Sequence, residues 1–306
     1  MDSATTGVGL VLGRVLMPWC DQIKPNTLER YIEIGGFQGY RRLKNMSPLD
    51  VLAELRNSGL RDRGPTAEPV YLNWQQFLRR QDPGLLVVDA TQYDDRSQSG
   101  SFLLTRNPFA LVESLLIASV ACQANKCVVL LPPALQDYEA ILLNSFESVL
   151  ATDLSQGQSL DLELLREARP SLFLHGPMVP FKESILMQKL ETWYHLALVF
   201  SLGATRYKTM APEGQTGTCL LTMGGPLRSP GLVEVPLGGN LGNILETLTG
   251  GLIPGFVPTA ISLDNGFGGY LPFSAVQERL SPEEMSSVYV TPSPSCLLYT
   301  SDAADE

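Results

Sequence analysis

The sequence predicts an α/β protein: a parallel sheet covered by helices on both faces, entered through N-terminal helices and followed by a smaller ubiquitin-like β-grasp module. Three observations carry that expectation. Between Leu85 and Phe200, short apolar runs alternate with amphipathic stretches, and such alternation over roughly 120 residues is the pattern of a parallel sheet. Upstream, capping residues and a helical period recur without intervening strands. Downstream of about Met210, short strands are separated by Pro/Gly turns around a single helix.

The first residues, to about position 20, are weakly patterned. Asn26 with Glu29 three residues later reads as a capping box, and the helix through Tyr31 and Ile32 stops at Gly35-Gly36. A short helix over Phe37 to Lys44 follows. Ser47 then caps a third, with Pro48 at its first position and Leu49, Leu52 and Leu55 expected on one face. Leu85 to Val88 is a buried-strand run after Pro83-Gly84. Asn107 and Pro108 start a long helix to about Ala121. Cys127 to Leu131 reads as a strand and Ala134 to Leu150 as a helix. Leu160 to Leu165 and Leu172 to Leu174 read as strands, and Ser184 to Phe200 as a helix. After a linker at Ala211-Pro212-Glu213-Gly214 come strands at Cys219 to Met223 and Leu232 to Val235. A helix capped by Asn240 and closed by Gly250-Gly251 precedes a strand at Thr259 to Leu263. The expected division is 1–58 helical, 59–210 α/β and 216–290 β-grasp.

Composition narrows the function. Of 306 residues, 44% are hydrophobic and 18% charged, with a formal net charge of −10, the balance of a soluble globular protein. The sequence pI of about 4.8 argues against a nucleic-acid surface, which calls for a basic face. Five cysteines without a C-x-x-C pair point to buried thiols in a reducing compartment. The apolar tract Phe109 to Ala121 is interrupted by Glu113 and too short to cross a bilayer, so it reads as a core helix. No secretory leader is evident, and the expected location is cytoplasmic, peripheral to a membrane complex at most.

Gly59 to Trp74, Gly-Leu-Arg-Asp-Arg-Gly-Pro-Thr-Ala-Glu-Pro-Val-Tyr-Leu-Asn-Trp, is the stretch that carries the kinship. It resembles the loop Gly-Leu-Arg-Gly-Arg-Gly-Gly-Ala-Gly-Phe-Pro-x-Gly-x-Lys-Trp of the NADH-oxidising flavoprotein subunit of respiratory complex I and its hydrogenase and formate dehydrogenase relatives. Gly59, Leu60, Arg61, Arg63, Gly64, Pro69, Leu72 and Trp74 match in register. The segment Pro25 to Phe37 resembles the family's approach to that loop. The run Met223-Gly224-Gly225 to Gly238, with Gly266, Gly268, Gly269 and Pro272, resembles the soluble-ligand-binding (SLBB-type) β-grasp domain of the same family. The resemblance implies an FMN-binding-type α/β domain, FMN and NADH as cofactor and substrate, and other complex I-type subunits as partners, among them a thioredoxin-like iron–sulfur subunit. It also implies a later helical domain holding an iron–sulfur cluster. Residues 296–306 look like translated sequencing adapter, so a truncated gene is expected and that stretch is set aside.

The family's cofactor contacts fall here on Arg63, Gly64, Asn73, Asp89, Asp94, Gln188 and Lys189. Several have lost the matching chemistry. Asn73 stands where the family has lysine, Pro65 removes a backbone N–H, and Glu68 replaces an aromatic residue. The family's Asn-Ala-Asp-Glu is Asp89-Ala90-Thr91-Gln92, and its Asn-Asn-Val-Glu-Thr is Gln188-Lys189-Leu190-Glu191-Thr192. The flavin-facing Gly-Ala-Gly-Ala-Tyr segment corresponds to Arg166 to Gly176 and keeps almost nothing. Four altered segments around one ligand, beside intact core periodicity, predict a fold that persists without FMN binding.

Other residues take plain readings. Trp74 is expected to anchor core, and Arg61 and Arg63 to be helix-end charges. Asp161 and Glu167 fit a solvated strand edge, and Gly266 to Gly269 a turn. His175 and His195 lack neighbours at metal-ligand spacing, and no nucleophile has a matching base. No catalytic or metal residue is therefore expected. The favoured function is a non-catalytic structural or assembly subunit; the alternatives are an active NADH dehydrogenase flavoprotein subunit and a small-ligand-binding module acting through the β-grasp domain.

Overall fold

The computed structural model describes residues 16, 27–64, 67–93, 97–155, 159–166, 184–263, 269–274 and 295–300. Helix α1 spans Leu28–Glu33, and its cap position is Thr27, whose side chain makes no capping bond. The expected cap, Asn26, lies outside the described residues. Helix α2, Gln38–Arg42, follows Phe37, which sits in the left-handed region at φ 61°. Glu113, the one charge in the long apolar helix, supplies this cap from a distance. It accepts from Phe37 N at 2.8 Å, Tyr40 N at 3.2 Å and the Tyr31 hydroxyl at 2.6 Å. The charge that interrupts the apolar tract thus ties the N-terminal helices to the core.

Helix α3, Pro48–Ser58, has the expected start, with Ser47 and Asp50 in a reciprocal capping box, and ends at Gly59 with φ 66°. Its buried face is Val51, Leu55 and Ser58, whereas Leu49 is 76% exposed. The expected Leu49–Leu52–Leu55 stripe is corrected: the spacing i, i+4, i+7 through residue 51 is the one that meets the core. Helix α4, Val70–Phe77, buries Trp74 completely, as a core anchor should be.

Four parallel strands then form a sheet of order β3-β2-β1-β4: β1 Leu85–Asp89, β2 Lys126–Leu131, β3 Asp161–Arg166 and β4 Ile185–Lys189. Helices α5 (Gln98–Arg106) and α6 (Pro108–Cys122) connect β1 to β2, and a 3₁₀ turn with α7 (Glu139–Leu150) connects β2 to β3. Leu86, Val88, Val129, Leu131 and Leu186 face the main core, and Leu85, Val87, Val128 and Leu130 a smaller cluster. Helix α6 is buried on nearly every side, which explains its uniform apolarity. The expected helix from Ser184 is corrected: Ile185 to Lys189 is strand, paired residue for residue with β1, and α8 begins only at Leu190 and runs to Leu202. A short apolar run beside a helix reads as its first turns, and only the open edge of β1 makes it a strand. The expected strand at Leu172 to Leu174 lies outside the described residues. Asp161 is exposed on edge strand β3.

After the short helix α9 (Ala204–Lys208), a second sheet has the order β6-β5-β9-β7-β8: β5 Thr218–Gly224, β6 Gly231–Pro236, β7 Pro258–Leu263, β8 Gly269–Pro272 and β9 Ser295–Thr300. Helix α10, Leu241–Thr249, carries the expected cap, Asn240 accepting from Asn243 N at 2.9 Å, and the expected stop at Gly250. Leu221, Val235, Leu241, Ile244 and Ile261 form the core of this part. Strand β9 is parallel to β5 and antiparallel to β7. The stretch that looks like translated adapter contributes most of this paired strand. Among the described residues no single helix is long and apolar enough to cross a membrane; α5 and α6 pass such a test only as a pair bent by 82°.

Candidate functional site at the carboxyl ends of β1 and β4

In a sheet of order 3-2-1-4 the chain builds outward in opposite directions from the β1/β4 boundary. Ligands of open α/β folds settle at such a switch point, beyond the strands' carboxyl ends. Here the two strands end on the paired residues Asp89 and Lys189. Alternation puts both side chains on the face of Val87 and Met187, and they meet: Lys189 Nζ donates to Asp89 Oδ2 at 2.7 Å, with both side chains almost wholly buried. Asp89 Oδ1 accepts from Thr91 N at 2.9 Å and from the Thr91 hydroxyl at 2.5 Å.

The Gly59–Gly64 loop closes over this pair. It is pinned by a bridge between Arg61 and Pro69, by Asp62 N donating to Glu68 O, and by Val70 N donating to Leu60 O. The Asp62 carboxylate then turns inward. Its Oδ1 accepts from Lys189 N at 3.0 Å and from the Thr192 hydroxyl at 2.8 Å, while Thr192 Oγ1 accepts from Arg63 N at 2.7 Å. Burial pushes the Asp62 carboxyl above its ordinary range, and the Lys189 amide and Thr192 hydroxyl pull the other way. Gly64 lies so close that a Cβ there would sit 2.7 Å from Asp62 Oδ2 and 3.0 Å from Lys189 Cγ.

Of the seven residues singled out, Gly64, Asp89 and Lys189 converge here. Arg63 contributes its backbone N–H, but its guanidinium runs the other way. It donates to Thr218 O at 3.0 Å, Arg61 O at 2.8 Å, the Tyr207 hydroxyl at 3.1 Å and Thr216 O at 3.3 Å. Arg61 donates to Ala67 O. The reading of these arginines as helix-end charges is corrected: both tie backbone carbonyls. Gln188 is buried on the opposite face of β4, alongside Leu186. Among the described residues its side-chain amide has no hydrogen-bond partner, and its backbone carbonyl accepts from the Trp193 indole. Asn73 is half-buried on α4 and makes no hydrogen bond into this network among the described residues. Asp94 lies outside the described residues. Sequence reasoning takes Asp62 as an extra negative charge in the loop and does not find its hydrogen bonds to Lys189 N and Thr192. The signal was there: an acidic residue at 62 and a basic one at 189, both at positions where the family is uncharged.

Metal ligation, buried thiols and a separate cleft are further features to weigh among the described residues. No group of three or more His, Cys, Asp or Glu among them could hold a metal ion. Cys122 and Cys127 are buried thiols, the former pushed up to about 12 by burial, as expected of structural cysteines. A cleft of about 790 Å³, lined by Pro48, Leu52, Leu78, Arg80 and Cys122, includes the residues preceding the amino end of β1.

No family model matches the chain. It is 25% identical over 275 residues to the F subunit of NADH-quinone oxidoreductase from Streptomyces coelicolor, across 80% of this chain and 61% of that protein. It is 22% identical over 281 residues to the NADP-reducing hydrogenase subunit HndC of Solidesulfovibrio fructosivorans, across 82% and 57%. The fold matches a crystal structure of an NAD+-reducing [NiFe]-hydrogenase in the H2-reduced state with a TM-score of 0.75 and 20% identity, over 94% of this chain and 51% of that one. The chain therefore spans less than two thirds of the length of these relatives. The resemblance expected from the Gly59–Trp74 loop is borne out: this chain is similar to the F subunits of NADH-quinone oxidoreductases.

Proposed function

We propose that this chain is a non-catalytic structural or assembly subunit of a complex I-type or hydrogenase-type assembly, its ancestral nucleotide crevice closed by its own side chains. The observation that supports this reading is the Asp62–Lys189–Asp89 network at the switch point. FMN, the cofactor that the family resemblance implies, needs backbone amides and cations free to meet a phosphate. The residues present do not fit it: the Lys189 ammonium is bonded to Asp89, the Arg63 guanidinium to carbonyls and Tyr207, and Asp62 places a carboxyl against the loop. Reopening the crevice would require breaking the buried Lys189–Asp89 ion pair.

In this reading the chain's division into an α/β body and a β-grasp module serves docking. The order β6-β5-β9-β7-β8, with β5 and β9 parallel, supports the β-grasp assignment. Partners would be other subunits of the assembly, including a thioredoxin-like iron–sulfur subunit, at the cytoplasmic side of a membrane complex or in a soluble one. A second reading, an active flavoprotein subunit transferring hydride from NADH to FMN, is favoured by the NADH-quinone oxidoreductase activity for which the Streptomyces coelicolor relative is named.

Titrating the purified full-length chain with FMN separates the two. The scaffold reading expects no saturable quenching of flavin fluorescence and no yellow colour on purification. A stoichiometric flavin that NADH bleaches would overturn it.

A further inference from the structure

The junction between the two sheets contains a buried set of ionisable groups that the crevice does not use. Glu191, in the first turn of α8, accepts through Oε1 from Leu220 N of β5 at 2.9 Å. His195, one turn on, lies with Nε2 3.6 Å from the same oxygen and Nδ1 3.1 Å from the Tyr207 hydroxyl. Tyr207, on α9, accepts from Arg63, whose other donors hold Thr216 O and Thr218 O at the start of β5. From β6, Glu234 accepts from the Thr218 hydroxyl at 2.6 Å and from Leu16 N. Cys219 of β5 and Tyr93, just beyond β1, complete the groups that sense Glu191. Glu191, His195 and Tyr207 are all buried.

The surroundings of Glu191 decide how this junction behaves. Among the described residues Arg63 is the only permanent cation near it, and the Arg63 guanidinium spends its donors on carbonyls and Tyr207 rather than on the carboxyl. An ionised Glu191 would therefore hold a buried charge on one backbone N–H, with a second carboxyl, Glu234, close enough to repel it. We propose that Glu191 is a proton-operated clasp between the two sheets: the neutral carboxyl leaves the junction closed and dry, whereas the ionised one, although it strengthens the single Leu220 N–H bond, favours opening of the junction to water because no cation is bonded to the buried charge. Burial pushes its carboxyl up to about 7, with the Arg63 charge pulling down and Glu234 pushing up. His195 cannot supply a compensating charge, because burial and Arg63 hold its pKa well below the ordinary value. A carboxyl raised from 4.5 to about 7 stabilises the closed junction fully below 4.5, and that contribution is lost as pH rises through 7. The inference does not depend on whether the crevice binds flavin.

Hydrogen exchange of β5 amides, Leu220 above all, in the full chain reads the clasp directly. After correction for intrinsic base catalysis, protection should fall about tenfold between roughly pH 6 and 8, the loss linkage gives for this window. Glu191→Gln, neutral throughout, should flatten that dependence, while His195→Phe should keep it. Should Glu191→Gln fail to fold, Glu234→Gln gives an independent reading, since removing that charge should move the transition to lower pH. Unchanged protection across this window in the wild type, or the same dependence in Glu191→Gln, would overturn the proposal.

Discussion

Two ion pairs sit at the carboxyl end of the same parallel sheet and differ above all in their access to water. At the edge, Arg166 closes β3 and reaches Glu139 at 2.9 Å, with the arginine side chain 67% exposed. At the switch point, Lys189 closes β4 and reaches Asp89 at 2.7 Å with the carboxylate fully buried. The first is a forked guanidinium–carboxylate pair and the second a single ammonium–carboxylate bond. Solvent screens the first, so either partner can be lost with little consequence, whereas in the second each charge is the other's replacement for water. Substitution of a ligand-binding residue by a charge is tolerable inside a fold only where a complementary charge arrives with it. Asp89 and Lys189 satisfy that condition, while Asp62 is met by the Lys189 backbone N–H and the Thr192 hydroxyl.

The comparison can be broken most sharply at Lys189. Lys189→Met strands the buried Asp89 carboxylate and should destabilise the protein by about 3–5 kcal/mol in urea unfolding. Adding Asp89→Asn, which keeps an acceptor for Thr91, should recover most of that loss; equal instability of the double variant would mean that the pair is not a unit. Next comes Arg63→Met. Leaving the Thr216 and Thr218 carbonyls without their donor should cost roughly 2–3 kcal/mol. Exchange protection should fall at the sheet junction before it falls in the crevice.

Gly64→Ala tests how tightly the loop closes. Its Cβ would crowd Asp62 and Lys189, and about 1–3 kcal/mol of destabilisation is expected from overpacking. Glu113 sharpens the lesson elsewhere in the core. Burial raises its pKa, so its contribution is complete at low pH and is lost as pH rises through the raised value. Glu113→Gln should remove that part of the slope in a plot of stability against pH. The smallest effect belongs to the exposed pair: Arg166→Gln should leave the unfolding midpoint unchanged within error.

Much of the fold is legible from particular residues. Ser47-Pro48, Asn107-Pro108 and Asn240 mark helix starts, and Gly59 and Gly250 mark stops, because caps and left-handed glycines are local chemistry. Leu85 to Val88 and Cys127 to Leu131 declare buried strands by their unbroken apolarity. Ile185 to Lys189 does not, because a five-residue strand running into a helix has no local signature. Its state depends on hydrogen bonds to β1, nearly a hundred residues away in the chain. Glu113 is legible as an interruption but not as a cap for another helix.

Residue identity and short-range periodicity by themselves determined kinship, the alternation of strand and helix, and the loss of the family's uncharged contacts at residues 62, 89 and 189. Only the tertiary structure decided that the intruding charges answer one another. Whether Asp62 repels a ligand or accepts from Lys189 and Thr192 depends on distances of about 3 Å between segments more than a hundred residues apart. Coulomb and hydrogen-bond energies are set by that separation and by burial, neither of which a linear chain carries.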